Sequence, residues 1–530
     1  MTKEKLSYEK ARMLSSLTRA YLSSDKSIDN LIDFNSNSSS VGQVISQRER
    51  SFPVDRKLLV KELLSQYDEL GASKQVAKNI NSLLDANTYT VVTGHQLSLF
   101  TGPLYFIYKI VSAIKVAKTL NEDYPNHHFV PIYWMATEDH DFEEINHTYI
   151  FGKKIEWSSP QTGMVGEFST EGLSRVISQL KDVLGDDIQS EKWIGIIEDA
   201  YLKHENLSDA TRYLVNYLFE SEGLVIMDAN SHELKLAFKT VIKNELLYQK
   251  SCDLVNETIA AFPKGSKAQV TPREINLFYV VKGVRERIIK EDELYVVKDT
   301  NFKFTEEEIL AEVDQYPERF SPNVILRPVY QELILPNVMY IGGGAEIAYW
   351  LQLKSTFNYH KVSFPLLQIR NSFLVIDKDS VEKVLNCCLS LEELFYPENE
   401  QIKILLKNDN PFVEELAAHK KEVNDKVKDL IVQLEKFDPE LIKSLKSTKQ
   451  GFLKELKKLD QKIMKSVKRK QQVKLNRLAA IRNVVYPGGV YQERSVNVLE
   501  MLTLYGEDFL SIIESQTEPF ETELSVLTME

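Results

Sequence analysis

The 530-residue sequence predicts an α/β protein with a mostly parallel sheet and a helical arm toward its carboxyl end. Three observations carry this. Short apolar runs at residues 89–92, 129–136, 224–227, 338–341 and 366–369 read as buried strands. Helical patterns lie among them, and alternation of the two types argues for parallel pairing. From residue 416 onward the apolar residues step by four and three, which is the spacing of a coiled coil.

Taken in order, residues 1–85 read as a helical segment packed on the core, with an Asn/Ser loop at 35–40. The core is divided into residues 86–150, 221–254 and 331–380. Its first helix, 103–120, begins with Pro103 and puts Leu104, Ile107, Tyr108, Val111 and Ile114 on one stripe. Lys109, Lys115 and Lys118 fall away from that stripe. A second helical pattern covers 232–248. Residues 151–220 and 255–330 read as insertions decorating the core, with a β-turn-β element at 149–157. The arm occupies 381–485 and the tail 486–530 returns to the core. The arm's seam is Leu416, Lys420, Val423, Val427, Leu430, Leu434 and Phe437, then Leu445, Thr448, Phe452, Leu456, Leu459 and Ile463, with Pro439 at the turn between two helices. Such a pair cannot bury both faces alone, so it is expected to dimerise or pack on the core.

Composition narrows the function. A net charge of −12 argues against a dominant nucleic-acid role, because phosphate binding needs concentrated Lys and Arg. The lysines from Lys454 to Lys474 read as a solvated coiled-coil face. Cys252, Cys387 and Cys388 have no metal-ligand spacing, and three scattered thiols fit a reducing cytoplasm. Cys387 and Cys388 sit in an expected helix. No apolar run is long enough for a signal core or a membrane span.

Polar residues gather where strands end, which is where open α/β sheets bind ligands. Gly94, His95 and Gln96 follow the first strand; the glycine lets backbone approach a ligand, and the imidazole can donate to a phosphate. Glu138, Asp139, His140 and Asp141 follow the second, with Asn146 and His147 beyond. Crowded carboxylates repel unless a cation joins them, so this turn suits Mg²⁺, a substrate ammonium or general-base chemistry. His140 and His147 with the carboxylates between them also permit a transition-metal site. Gly342, Gly343 and Gly344 precede Glu346 and Tyr349 and offer N–H groups to an anion. Arg370 and Asn371 end a further strand, and an arginine there can clamp a carboxylate or phosphate.

In order and spacing these motifs resemble the bacillithiol biosynthesis cysteine-adding enzyme family over nearly the whole chain. The carriers are Thr93-Gly94-His95-Gln96 with Thr101-Gly102-Pro103-Leu104-Tyr105, Glu138-Asp139-His140-Asp141 with Ile145-Asn146-His147, Arg327-Pro328, Leu335-Pro336-Asn337, Gly342-Gly343 with Glu346-Ile347-Ala348-Tyr349-Trp350, and Gln492-Glu493-Arg494. The resemblance implies a Rossmann-like nucleotide-binding core similar to class I aminoacyl-tRNA synthetases, two connecting-peptide insertions and a dimerising coiled coil. It implies that cysteine is joined to glucosaminyl malate, with ATP activating the cysteine carboxyl. Gly94, His95 and Gln96 would then line the nucleotide end, Asp139 and Asp141 would hold the cysteine ammonium or Mg²⁺, His140 would act as general base, and Gly342 to Gly344 would meet phosphate or the malate carboxylates. Two other readings are a metal-dependent amino-sugar hydrolase or deacetylase with Asp139, His140 and His147 as ligands, and a non-catalytic coiled-coil scaffold.

Overall fold

The computed structural model describes the chain apart from residues 52–53, 388, 409–410 and 439; the side chains of 51, 406–408, 411–417, 420, 436, 460, 464 and 467 also fall outside the description. Cys388, Pro439 and the seam side chains of Leu416 and Lys420 therefore lie outside the described residues. In chain order the strands are β1 (Thr2–Ser7), β2 (Thr88–His95), β3 (His128–Met135), β4 (His147–Ile150), β5 (Lys153–Glu156), β6 (Val225–Asp228), β7 (Leu277–Val281), β8 (Val284–Glu291), β9 (Leu294–Val297), β10 (Lys303–Phe304), β11 (Phe320–Pro322), β12 (Asn337–Gly342), β13 (Leu366–Ile369), β14 (Ser372–Asp377) and β15 (Glu523–Met529).

The central sheet runs β13-β12-β2-β3-β6, and all its pairs are parallel. Every residue of β2 is buried, as its Val- and Thr-rich sequence requires of a strand covered on both faces. In order along the chain the strands sit third, second, first, fourth, fifth, a doubly wound arrangement. The winding reverses between β2 and β12, and that reversal opens a crevice beyond their carboxyl ends. Register brings Thr93 opposite Ile341 and His95 opposite Met135, so the polar ends of three strands meet there.

The helix Tyr105–Asp123 joins β2 to β3. It is buried on nearly every side, Lys109 included, so the stripe read from the sequence is too narrow. Pro103 does not begin this helix; it bridges to Asn497 of the tail, and Leu104 caps the helix. The pattern at 232–248 divides into helices His232–Leu236 and Lys239–Tyr248.

The two insertions differ in kind. After the β4–β5 hairpin the first is helical, with Leu173–Leu184, Ile188–Leu202 and Leu207–Phe219. The second carries an antiparallel sheet, β10-β9-β8-β7-β11, beside the helix Glu306–Gln315. Both share one continuous apolar core with the central sheet.

Residues 1–85 are not wholly helical. β1 pairs antiparallel with β15, and β15 pairs parallel with β14, making a third sheet from distant parts of the chain. Cys387 caps the end of the helix Lys378–Asn386 rather than lying inside it. In the arm, helices Pro411–Phe437 and Leu441–Lys470 fold back on each other. Its described seam is mixed: Val423, Val427, Leu434, Leu445, Leu456 and Ile463 are half-buried, while Leu430 is 45%, Phe452 47% and Leu459 47% exposed. No helix among the described residues is long and apolar enough to cross a membrane.

Candidate active site

A cavity of about 830 Å³ occupies the crevice between β2 and β12. Its floor is a polar network that crosses the reversal point. Lys109 Nζ donates to the Gly94 carbonyl at 2.5 Å and pairs with Glu346 Oε2 at 2.7 Å. Glu346 also accepts from the Gly343 N–H at 2.8 Å and from the Tyr340 hydroxyl at 2.7 Å. Burial works against the Glu346 charge, yet Lys109 and these donors outweigh it and hold the carboxyl below its ordinary pKa. Burial pushes the Lys109 ammonium below its ordinary value, and Glu346 opposes this only in part. The network ties the end of β2 to the first turn after β12. The motif residue Glu346 is thus engaged, as is the Gly343 N–H that was expected to meet an anion.

His95 is 8% exposed and stacks on Phe106, with Tyr105 edge-on. Burial, then the charges of Lys109 and Arg370, push its pKa well below the usual histidine range. The ring is therefore neutral at physiological pH, and among the described residues Nε2 has no hydrogen-bond partner.

The acidic turn faces this floor. The Gln96 amide donates to Asp139 Oδ2 at 2.6 Å and to Glu144 Oε2 at 2.8 Å, holding two carboxylates side by side. Burial raises the Asp139 pKa, but the His140 backbone N–H, the Gln96 amide and the charge of Arg285 outweigh it, so Asp139 stays ionised. Glu138 pairs with the fully buried Lys235 at 2.5 Å. His140 leans toward the second insertion, where Arg285 of β8 donates to its Nδ1 at 2.6 Å.

Arginines complete the wall. Arg370 forms a two-pronged pair with Glu493 of the tail, at 2.8 and 2.6 Å, in a site 5% and 1% exposed. Arg327 donates to Gln331 at 2.9 Å and to the Tyr349 hydroxyl at 3.2 Å. Arg494 lies over the Tyr105 ring. Among the described residues Arg273, Arg287, Arg327 and Arg494 line the cavity without an ion pair to a carboxylate.

The fold brings together Gly94, His95, Gln96, Glu138, Asp139, His140, Gly343, Glu346, Tyr349 and Arg370. Other expected site residues lie elsewhere. Asp141 accepts from the Glu144 N–H and caps the short helix Phe142–Ile145. His147 bonds Asn146 through Nδ1 at 2.9 Å on β4, away from the cavity, while the Asn146 carbonyl accepts from Trp157. The Gly342 carbonyl accepts the Arg370 N–H, and a side chain at Gly344 would strike Leu14 of the amino-terminal segment. Asn371 bonds Ser112 and fastens the helix Tyr105–Asp123. With His147 outside, the Asp139–His140–His147 ligand set is not assembled. Among the described residues no group of three His, Cys, Asp or Glu side chains is placed to hold a metal ion.

Lys109, Arg285, Arg287 and Arg494 are cavity residues that sequence reasoning did not select. Arg494 could have been found, since it stands in the quoted Gln-Glu-Arg motif.

A doubly wound sheet with a charged cavity at its reversal point defines a Rossmann-like protein built to hold polar, charged small molecules. The chain belongs to the BshC family of bacillithiol biosynthesis: the description "Bacillithiol biosynthesis BshC, N-terminal Rossmann-like domain" matches residues 1–371, and "Bacillithiol biosynthesis BshC, C-terminal coiled-coil domain" matches 373–529. It is 40% identical over 524 residues to a Flavobacterium psychrophilum protein named "Putative cysteine ligase BshC", covering 98% of each chain. It is 39% identical to a protein of that name from Christiangramia forsetii, covering 99% of this chain and 98% of the relative. A Bacillus cereus (strain Q1) protein of the same name is 28% identical, over 92% of this chain and 94% of that one.

Proposed function

We propose that this chain is a cysteine ligase that joins the carboxyl of cysteine to the amine of glucosaminyl malate, giving bacillithiol. The observation that carries this is the cluster of arginines without carboxylate partners in one cavity of a chain whose net charge is −12. Such a cluster suits a polyanion, and both a nucleotide triphosphate and a malate dicarboxylate are polyanions. The facing pair Asp139 and Glu144 suits the cysteine ammonium, so one cavity offers complements to both substrates.

On this reading ATP activates the carboxyl, because amide formation from a free carboxylate is uphill in water. The cysteine carboxylate attacks the α-phosphorus, pyrophosphate leaves, and a cysteinyl adenylate forms. The amino-sugar nitrogen then attacks the carbonyl carbon and AMP departs. Arg327, Arg494 and neutral His95 would meet the phosphoryl charge as fixed donors. Gln96 holds both carboxylates through one amide nitrogen, which supports their sharing an ammonium. The arm joins two copies into a homodimer, and the reaction belongs to the cytoplasm.

The test is purified full-length protein with cysteine, glucosaminyl malate and ATP, read by mass spectrometry. Bacillithiol with stoichiometric AMP is the expected result. No product sinks the ligase reading; ADP in place of AMP replaces the adenylate with an acyl phosphate.

A further inference from the structure

We propose that Arg285, contributed by the second insertion, is a positioning residue that makes His140 a hydrogen-bond donor to the substrate rather than a proton acceptor. A guanidinium is always protonated and has no lone pair to offer, so the 2.6 Å contact from Arg285 Nη1 to His140 Nδ1 has one polarity. Arg285 donates and Nδ1 accepts. A neutral imidazole carries one ring proton, which is then on Nε2. Asp139 Oδ1 lies 3.6 Å from the same nitrogen, too far to accept a hydrogen bond from it, so the arginine decides the tautomer. Asp139 instead takes the His140 backbone N–H at 2.7 Å, which fixes the turn and not the ring.

The arginine is itself held. It is 7% exposed, its centre lies 3.9 Å from the Phe278 ring centroid, and its Nε and Nη2 both reach Ser321 Oγ at 3.3 Å. Phe278 also packs against the His140 ring, at 5.2 Å between centroids. Three residues of the insertion's sheet, from β7, β8 and β11, thus set one side chain of the core's acidic turn. His140 is 43% exposed, and among the described residues its Nε2 has no hydrogen-bond partner, so its N–H is available to the cavity it lines. A fixed neutral donor there suits an oxygen that gains negative charge as a carboxyl group reacts. This last step rests on the ligase reading; the tautomer does not.

Two measurements test it. Full-length protein labelled with ¹⁵N-histidine, its His140 signal identified by loss in His140→Gln, should show protonated Nε2 and an accepting Nδ1. Arg285→Met should convert this to a mixture of tautomers, and Arg285→Lys, which keeps a donor, should restore it. A protonated Nδ1 in the unaltered protein, or no change in Arg285→Met, overturns the proposal. In the ligase assay, His140→Gln keeps an N–H donor but cannot act as a base. It should stay within about tenfold of the unaltered protein, whereas His140→Ala should lose about a hundredfold in kcat. Equal loss in both would restore the base role. If the unaltered protein makes no bacillithiol, the ligase reading fails while the spectra still decide the tautomer.

Discussion

The central sheet and the arm are held together by different physics. In the sheet, β2 and β12 are buried along their whole length, and even charged groups are enclosed: Lys109, and the Arg370–Glu493 pair on both sides. In the arm, seam residues Leu430, Phe452 and Leu459 remain about half open, and the ion pairs Lys426–Glu422 and Lys458–Glu455 lie on exposed helix faces. Exposed pairs contribute little, whereas removing one partner of an enclosed pair leaves a bare charge out of water. The contrast teaches that the same substitution chemistry should be severe in one region and mild in the other.

The sharpest break of that contrast is Arg370→Met. It leaves Glu493 buried alone and should cost about 4 kcal/mol in urea unfolding of the core. A loss below ~1 kcal/mol would mean that water reaches the pair. Next, Ile341→Ala in β12, where the side chain is fully buried, should cost about 3 kcal/mol by lost burial and the cavity it leaves. Lys109→Met should cost about 2 kcal/mol and abolish most ligase turnover, since it frees both the Gly94 carbonyl and Glu346.

The pH dependence sharpens the comparison further. The folded-state pKa of Glu346 lies below its ordinary value of 4.5. Its stabilising contribution is therefore complete above that value and is lost as the pH falls through the lower, folded one. Melting temperatures of Glu346→Gln and the unaltered protein should accordingly converge in acid and diverge toward neutrality. The smallest effect belongs to the arm. Phe452→Ala should cost under ~1 kcal/mol in the core transition. If the arm pairs two copies as proposed, Leu459→Asp should leave that transition in place while shifting sedimentation from dimer to monomer.

The sequence made the strand ends visible because β-branched apolar runs stop abruptly at residues that can bind or ionise, as at Gly94-His95 and Glu138-Asp139-His140. Order along the chain then sufficed to bring those ends together in a parallel sheet. Lys109 escaped because a lysine in an amphipathic pattern reads as solvent-facing. Only the approach of β12 from the other side of the reversal reveals that this face is covered. Arg285 escaped for a related reason: in Val284-Arg285-Glu286-Arg287 the alternation shows two faces but not which one meets the acidic turn. The turn itself was read too generously. Asp141 caps a helix and His147 belongs to a hairpin, roles that local spacing does not separate from ligation. β1 was missed because Lys3-Glu4-Lys5 has no apolar face; its partner lies some five hundred residues away.

That distant pairing has a mechanical consequence. Thr2 faces Thr528 and Ser7 faces Glu523, so residues 2 and 528 sit at the same edge of one antiparallel ladder. A pull applied through those two positions peels the ladder rung by rung instead of shearing it. In an optical trap the first event should be a low-force release of this small flap, well before the tightly enclosed centre gives way.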